Sequence, residues 1–253
     1  MEHFDRICNE LGAIERNGGF RILFACESGS RAWGFSSPNS DFDVRFVYVR
    51  PISDYLRLED ARDVREYAIG DDLDVVGWDL TKFLKLLRKS NPSAVEWLSS
   101  PDVYLEKTSF EGVRGLLDDC FDPLSSAYHY YGMAKQHDMR YLKHEMLPIK
   151  KYLYIVRAIL AAKWCVTYLE PVPMRFDDLK AKMLPQELSK SVDLMLASKR
   201  ATSESHMTCH DEALDEWIVS EMGHMVTDFS QFDHKPKVPW ERLDGVFMNV
   251  LEA

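Results

Sequence analysis

The sequence predicts an α+β fold: a mixed sheet with flanking helices over residues 1–122, followed by an all-helical domain over residues 123–253. Three observations carry this prediction. Four short β-prone runs fall before residue 80. After about residue 122 strand signals nearly vanish and apolar residues recur at helical spacing. The 253 residues are 46% hydrophobic and 12% aromatic, which supplies ample apolar surface for a core and too much for a disordered chain.

Along the chain, residues 3–16 place Phe4, Ile7, Cys8, Leu11 and Ile14 at helical spacing, and Asn17-Gly18-Gly19 stops that helix. "RILFAC" (21–26) and the longer alternating "DFDVRFVYV" (41–49), which ends before Pro51, read as strands on either side of a Gly/Ser/Pro/Asn loop. "VREYAI" and "LDVVGW" flank Gly70-Asp71-Asp72, residues that tolerate left-handed turn conformations, so this pair reads as a hairpin. "DLTKFLKLLRKS" (79–90) carries Leu80, Phe83, Leu84 and Leu87 at helical spacing. Asn91-Pro92 opens a second short helix through "SAVEWLSS", and Pro101 closes it. Later helices are expected near 123–144, 149–169, 185–199, 210–229 and 239–250. "EPVPMRFDDL" (170–179) is the clearest breaker, whereas the change near 120–123 is marked only by an Asp-Pro junction. The chain shows no repeat and no low-complexity segment.

The net charge of −10 should repel nucleic acid and acidic membranes unless basic residues gather locally. Cys8, Cys26, Cys120, Cys165 and Cys209 are an odd, scattered set without CxxC spacing, which argues against a disulfide framework and a structural zinc site and favours a reducing cytoplasm. "MEHFDRICNELG" is acidic and amphipathic, unlike a targeting leader, and no run approaches about 18 apolar residues. The expectation is a soluble, cytoplasmic protein with no membrane partner.

The chemistry concentrates in "ESGSRAWGFSSPNSDFDVRF" (27–46). Side chains two apart on a strand share a face, so Asp41 and Asp43 present adjacent carboxylates while Phe42 and Val44 point into the opposite layer. Two carboxylates so close repel when ionised, and hard divalent cations can neutralise them through oxygen ligation. A bare pair of this kind also occurs on solvated strand faces. The preceding loop shifts the balance, because Gly29 permits close backbone approach and Ser30 offers a hydroxyl and an amide to an anion. Phosphate and metal can share such a site.

This order of a strand, a Gly-Ser loop, a paired-aspartate strand and a later third acidic strand resembles the DNA polymerase β nucleotidyltransferase superfamily. The third carboxylate would be Asp74 in "LDV", with Asp79, on the opposite alternation, as a lesser candidate. The closer resemblance is to the RlaP-type predicted nucleotidyltransferases, the RNA repair branch. It rests on "GSRAWGFSSPNSDFDVRFVYV", "VVGWDLTKFLKLLRKSNPSAVEWLSSPDVY" and "KKYLYIVRAILAAKW", with "PMRFDDL" beyond them. The resemblance implies a polymerase-β-like nucleotidyltransferase domain over 1–122 and a helical domain over 123–253. It implies Mg²⁺-dependent transfer of a nucleoside monophosphate from an NTP to a hydroxyl, with pyrophosphate released, by two Mg²⁺ ions or Mn²⁺ in their place. In that picture Asp41 and Asp43 hold both ions, and Asp74 holds the catalytic ion and favours deprotonation of the hydroxyl. Gly29 and Ser30 grip the terminal phosphates, with Arg31 or Arg45 as charge partners.

Lys150, Tyr154 and Arg157 fall at i, i+4 and i+7 on one helix, a stripe that could meet triphosphate and base on the open side of the site. The competing reading is a solvated helix face over a covered tyrosine. Glu96 and Trp97 read as packing and capping devices, and His206, Cys209 and His210 as solvated groups at a helix start. Lys135, Arg140, Lys143, Lys150, Lys151 and Arg157 form a basic track that could hold a phosphate backbone, and the resemblance to the RNA repair branch makes RNA the expected acceptor. The overall acidity favours the alternative of a small-molecule or protein acceptor. A catalytically silent nucleotide-binding module is opposed by retention of all three aspartates.

Overall fold

The computed structural model describes residues 2–141, 145–201 and 206–253. Helix α1 (Glu2–Gly18) leads into strand β1 (Arg21–Glu27), the one-turn helix α2 (Gly29–Ala32) and strand β2 (Phe42–Val49). Short helix α3 (Ile52–Tyr55) precedes the hairpin of β3 (Val64–Ile69) and β4 (Leu73–Asp79). Helices α4 (Leu80–Leu87) and α5 (Pro92–Ser99), strand β5 (Val103–Glu106) and helices α6 (Glu111–Arg114) and α7 (Leu117–Cys120) follow. Then come α8 (Pro123–Tyr141), β6 (Met146–Pro148), α9 (Ile149–Tyr168), α10 (Phe176–Met183), α11 (Gln186–Ala201), β7 (Met207–Cys209), α12 (Glu212–Phe229) and α13 (Trp240–Glu252).

The first five strands form one mixed sheet in the order β3-β4-β2-β1-β5. β2 and β4 run parallel, and the other neighbours are antiparallel. Strand alternation gives the sheet two apolar faces. On one, Val44, Phe46 and Tyr48 of β2 and Leu73 and Val75 of β4 pack with Ile7, Leu11 and Ile14 of α1. Gly77 stands opposite Phe46, whose ring fills the space a Cβ at 77 would need. On the other, Val47 and Val49 join Leu80, Phe83, Leu84 and Leu87 of α4 and Trp97 of α5, and this core runs on into α8, α9, α12 and α13. Asn91 caps α5 by accepting from the Ser93 amide at 3.0 Å. α9 is buried on almost every side because α8, α10, α11 and α12 all pack on it.

The four early strands lie where alternation predicts them. The portion expected to be all-helical also carries an antiparallel two-strand ribbon, β6 with β7, whose three-residue strands are too short for any period to register. β5 is similarly short, and it pairs the open edge of β1. α10 lies at the end of the segment read as a breaker, where Phe176 and Leu179 turn inward just after Pro171 and Pro173. Among the described residues no helix is long and apolar enough to cross a membrane. All five cysteines are free thiols.

Candidate active site

Parallel pairing of β2 and β4 places Asp43 directly opposite Asp74. Both side chains leave the sheet on the face opposite α1, since their neighbours Val44 of β2 and Leu73 and Val75 of β4 occupy the α1 face. Between them lies Arg45, two residues on from Asp43 and therefore on the same face. Its Nη2 donates to Asp43 Oδ1 at 2.8 Å and to Asp74 Oδ2 at 2.9 Å, and its Nη1 donates to the carbonyls of Val44 and Asp74 at 3.1 Å. Burial pushes the Asp43 carboxyl above its ordinary value. Arg45 opposes that shift, Asp74 adds to it, and the charges of Lys150 and Asp41 act more weakly in opposite directions. Asp41 precedes β2 and is exposed. Among the described residues no three His, Cys, Asp or Glu side chains converge as a ready metal cluster. The structure brings together two of the three expected aspartates, bridged by an arginine.

The Gly-Ser loop abuts this pair. β1 ends at Glu27, Ser28 is extended, and Gly29 adopts φ +59°, where a Cβ would collide with Asp43 Oδ2. The Ser28 amide donates to the Asp43 carbonyl at 2.9 Å, and the Asp43 amide donates to Glu27 Oε1 at 2.8 Å. Ser30 is buried within α2. Arg31 donates to the carbonyls of Ser40 and Asp41 and lays its guanidinium 3.8 Å from the centre of the Phe42 ring. It thus closes the loop onto the start of β2.

Asp79, the lesser candidate for the third carboxylate, is fully buried at the N-cap of α4. It accepts from the Thr81 amide, the Thr81 hydroxyl, Arg50 Nε and the Tyr55 hydroxyl, a set that ties α3 and α4 to the sheet. The α9 stripe also differs from a surface feature. Arg157 is only 2% exposed, with Nη1 3.0 Å from Glu96 Oε1 and its guanidinium 4.1 Å from the centre of the Trp33 ring. Tyr154 packs edge-on against Trp33 at 5.1 Å. Burial removes Arg157 from the exposed basic track and from any helix face open to a triphosphate, because Trp33 at the end of α2 fills the space beside it. Lys150 lies near enough to Asp43 for its charge to be felt there. Of the remaining track, Lys143 lies outside the described residues, as does the side chain of Arg140. Lys135 sits over Tyr131 and Lys151 over Tyr154.

Glu96 is buried and accepts from Tyr130, Arg157 and Trp33, and Trp97 stacks on Trp78 with ring centres 4.0 Å apart, so both pack as expected. Asn91, not either of these, makes the cap. His210 pairs with Asp215 at 2.6 Å, and Cys209 belongs to β7, ahead of the helix start at Asp211.

Three contributors escaped the sequence reading. Glu27 is 3% exposed and anchors the backbone of Asp43. Burial raises its carboxyl, partly offset by the Tyr104 hydroxyl and the Asp43 amide. Arg175 donates to the carbonyls of Arg31 and Ala32 at 3.0 and 3.1 Å, while the Phe176 amide donates to the Trp33 carbonyl at 2.8 Å. Both belong to "PMRFDDL", a stretch read only as part of a breaker and as a point of family resemblance. The third is the Trp33–Glu96–Arg157 cluster, assembled from three distant segments.

A model of the family described as RlaP, RNA repair pathway DNA polymerase beta family, matches residues 4–249. The chain is 38% identical over 249 residues to the uncharacterized protein YcgL of Bacillus subtilis (strain 168), covering 98% of this chain and 96% of that one. It is 29% identical over 149 residues to the uncharacterized protein MJ0002 of Methanocaldococcus jannaschii, covering 57% and 60% of the two chains. Among solved structures, a nucleotidyltransferase-like protein from Exiguobacterium sibiricum 255-15 aligns over 96% of this chain and 88% of its own, at 12% identity and a TM-score of 0.32.

Proposed function

The chain belongs to the RlaP family, the RNA repair pathway DNA polymerase beta family, and from that premise we propose that it transfers a nucleoside monophosphate from an NTP to a hydroxyl of RNA, releasing pyrophosphate. The observation that carries this reading is the Asp43–Asp74 pair on adjacent parallel strands, set against a Gly-Ser loop whose residue 29 has no room for a side chain beside Asp43. The donor set suits Mg²⁺, since it offers carboxylate oxygens at a spot where a cationic group already bridges two aspartates. Asp43 and Asp74 would hold the metal, with the exposed Asp41 ahead of β2 as a further carboxylate whose charge reaches Asp43. Bound there, Mg²⁺ supplies neutralisation of the transferring phosphoryl group and a lowered pKa for the attacking hydroxyl.

The chain's own residues do the rest. The loop at Gly29 and Ser30 receives the terminal phosphates on backbone amides, and Arg175 and Phe176 hold α2 in place behind it by occupying its carbonyls. Glu27 fixes the backbone of Asp43, so its carboxylate keeps one orientation. Lys150 adds positive charge on the side of α9. The division into a nucleotidyltransferase domain over 1–122 and a helical domain over 123–253 belongs to the same reading, with Lys135, Lys150 and Lys151 offered to an RNA backbone.

The net charge of −10 favours a second reading, in which the acceptor is a small molecule or a protein. Purified protein incubated with each labelled NTP, Mg²⁺ and a panel of RNA, DNA, protein and small-molecule acceptors separates the two. Labelled RNA is expected, with Asp43→Asn losing transfer by at least about 100-fold while retaining its circular dichroism spectrum. Label on another acceptor class selects the second reading, and wild-type turnover by Asp43→Asn removes the aspartate assignment.

A further inference from the structure

The position that a divalent cation would take between Asp43 and Asp74 is held by the chain itself. Arg45 Nη2 bridges Asp43 Oδ1 and Asp74 Oδ2, and Nη1 is fastened to two main-chain carbonyls. The Arg45 side chain is 17% exposed, that of Asp43 30% and that of Asp74 49%. This is a partly solvated ion pair, and such pairs exchange partners at small cost. Arg45 is also long, and a guanidinium on such a stem can follow an anion without leaving the site.

Resting on the reading of this site as a nucleotidyl-transfer centre, we propose that Arg45 is a resident counter-ion that competes with divalent metal for Asp43 and Asp74, and that it passes to the triphosphate when metal enters. The consequence is coupled binding. Without nucleotide, Arg45 already offsets part of the Asp43 and Asp74 charge, and Lys150 and Asp41 act on Asp43 in opposite directions, so a divalent ion has to displace Arg45 to reach both carboxylates. A triphosphate entering beside Gly29 supplies the negative charge that Arg45 needs once displaced. Metal and NTP then bind together much more readily than metal alone, and idle metal loading is suppressed.

Mn²⁺ binding to the nucleotide-free protein, followed by loss of the free-ion electron paramagnetic resonance signal, tests this without any turnover. Arg45→Gln is expected to bind Mn²⁺ about ten-fold more tightly than wild type, whereas Arg45→Lys, which keeps the charge, stays within about two-fold of wild type. Equal or weaker Mn²⁺ binding by Arg45→Gln, with wild-type binding that Asp43→Asn abolishes, overturns the competition and leaves the metal-site reading standing. No Mn²⁺ binding to any variant overturns both. A second measurement needs no substitution: the Arg45 Nε–H resonance of the wild type should shift on titration with Mg²⁺ plus a non-hydrolysable NTP analogue. A resonance that stays put at saturation overturns the proposal.

Discussion

Asp43 has to be ionised to hold a cation, in a place that resists ionisation. Burial raises its carboxyl above the ordinary 3.8, against the pull of Arg45. A folded-state value above the unfolded one means that folding favours the protonated form. The resulting stability is fully present below the unfolded value and is lost as pH rises through the raised one. Urea denaturation of the metal-free protein between about pH 4 and about pH 7 should therefore show a smaller loss of stability with rising pH for Asp43→Asn than for wild type. Identical pH slopes would show that burial does not shift this group. Asp74 and Asp79 separate just as cleanly. Asp79→Ala strips a buried hub of four donors and should cost about 3–5 kcal/mol of stability, while Asp74→Ala, half exposed, should cost under about 1 kcal/mol and remove turnover. Thermal melts and activity on the two variants, read together, check the register. Loss of turnover in Asp79→Ala with unchanged melting would reverse the assignment.

At the scale of elements, the Gly-Ser loop depends on contacts from far along the chain. α2 has one turn whose first carbonyls, those of Gly29, Ser30 and Arg31, accept from the amides of Trp33, Phe35 and Gly34, and Arg175 and the Phe176 amide tie the end of the turn, at Arg31, Ala32 and Trp33, to the segment before α10. Arg175 is partly exposed, as is its ion pair with Asp102, and such pairs contribute about 0–1 kcal/mol. Arg175→Ala should leave the melting temperature within a few degrees of wild type and raise KM for NTP several-fold. A large fall in melting temperature with unchanged KM would make Arg175 a stability residue instead.

At the scale of the whole molecule, the sheet and the helices share one core, and Arg157 shows what that does to a surface expectation. A charged residue on an exposed helix face is cheap to remove, but Arg157 is sealed against Glu96 and Trp33. Its Nε and Nη2 find no hydrogen-bond partner among the described residues. Arg157→Ala leaves the Glu96 carboxylate buried with fewer donors and should cost about 3–5 kcal/mol by chemical denaturation. Lys150→Ala should change stability by less than about 0.5 kcal/mol while weakening NTP binding by calorimetry. Equal stability in both variants would mean that the Arg157–Glu96 pair contributes little.

Period and turn chemistry were enough to locate the four early strands, the β3–β4 hairpin, α4, α5 and most of the later helices. Each of these depends on neighbours within a few residues: alternation in "DFDVRFVYV", the Gly70 turn, the Asn91-Pro92 start. The same local rule read Asp41 and Asp43 as sharing a strand face, although β2 begins only at Phe42, and it set Asp79 apart from Asp74. What remained for the tertiary structure was every relation between distant segments. The parallel register that pairs Asp43 with Asp74, the arginine that bridges them, the burial of Arg157 and the clamp of Arg175 on α2 all join residues tens to more than a hundred positions apart. No local period encodes such pairings, because they follow from which faces the core brings together once the chain has folded.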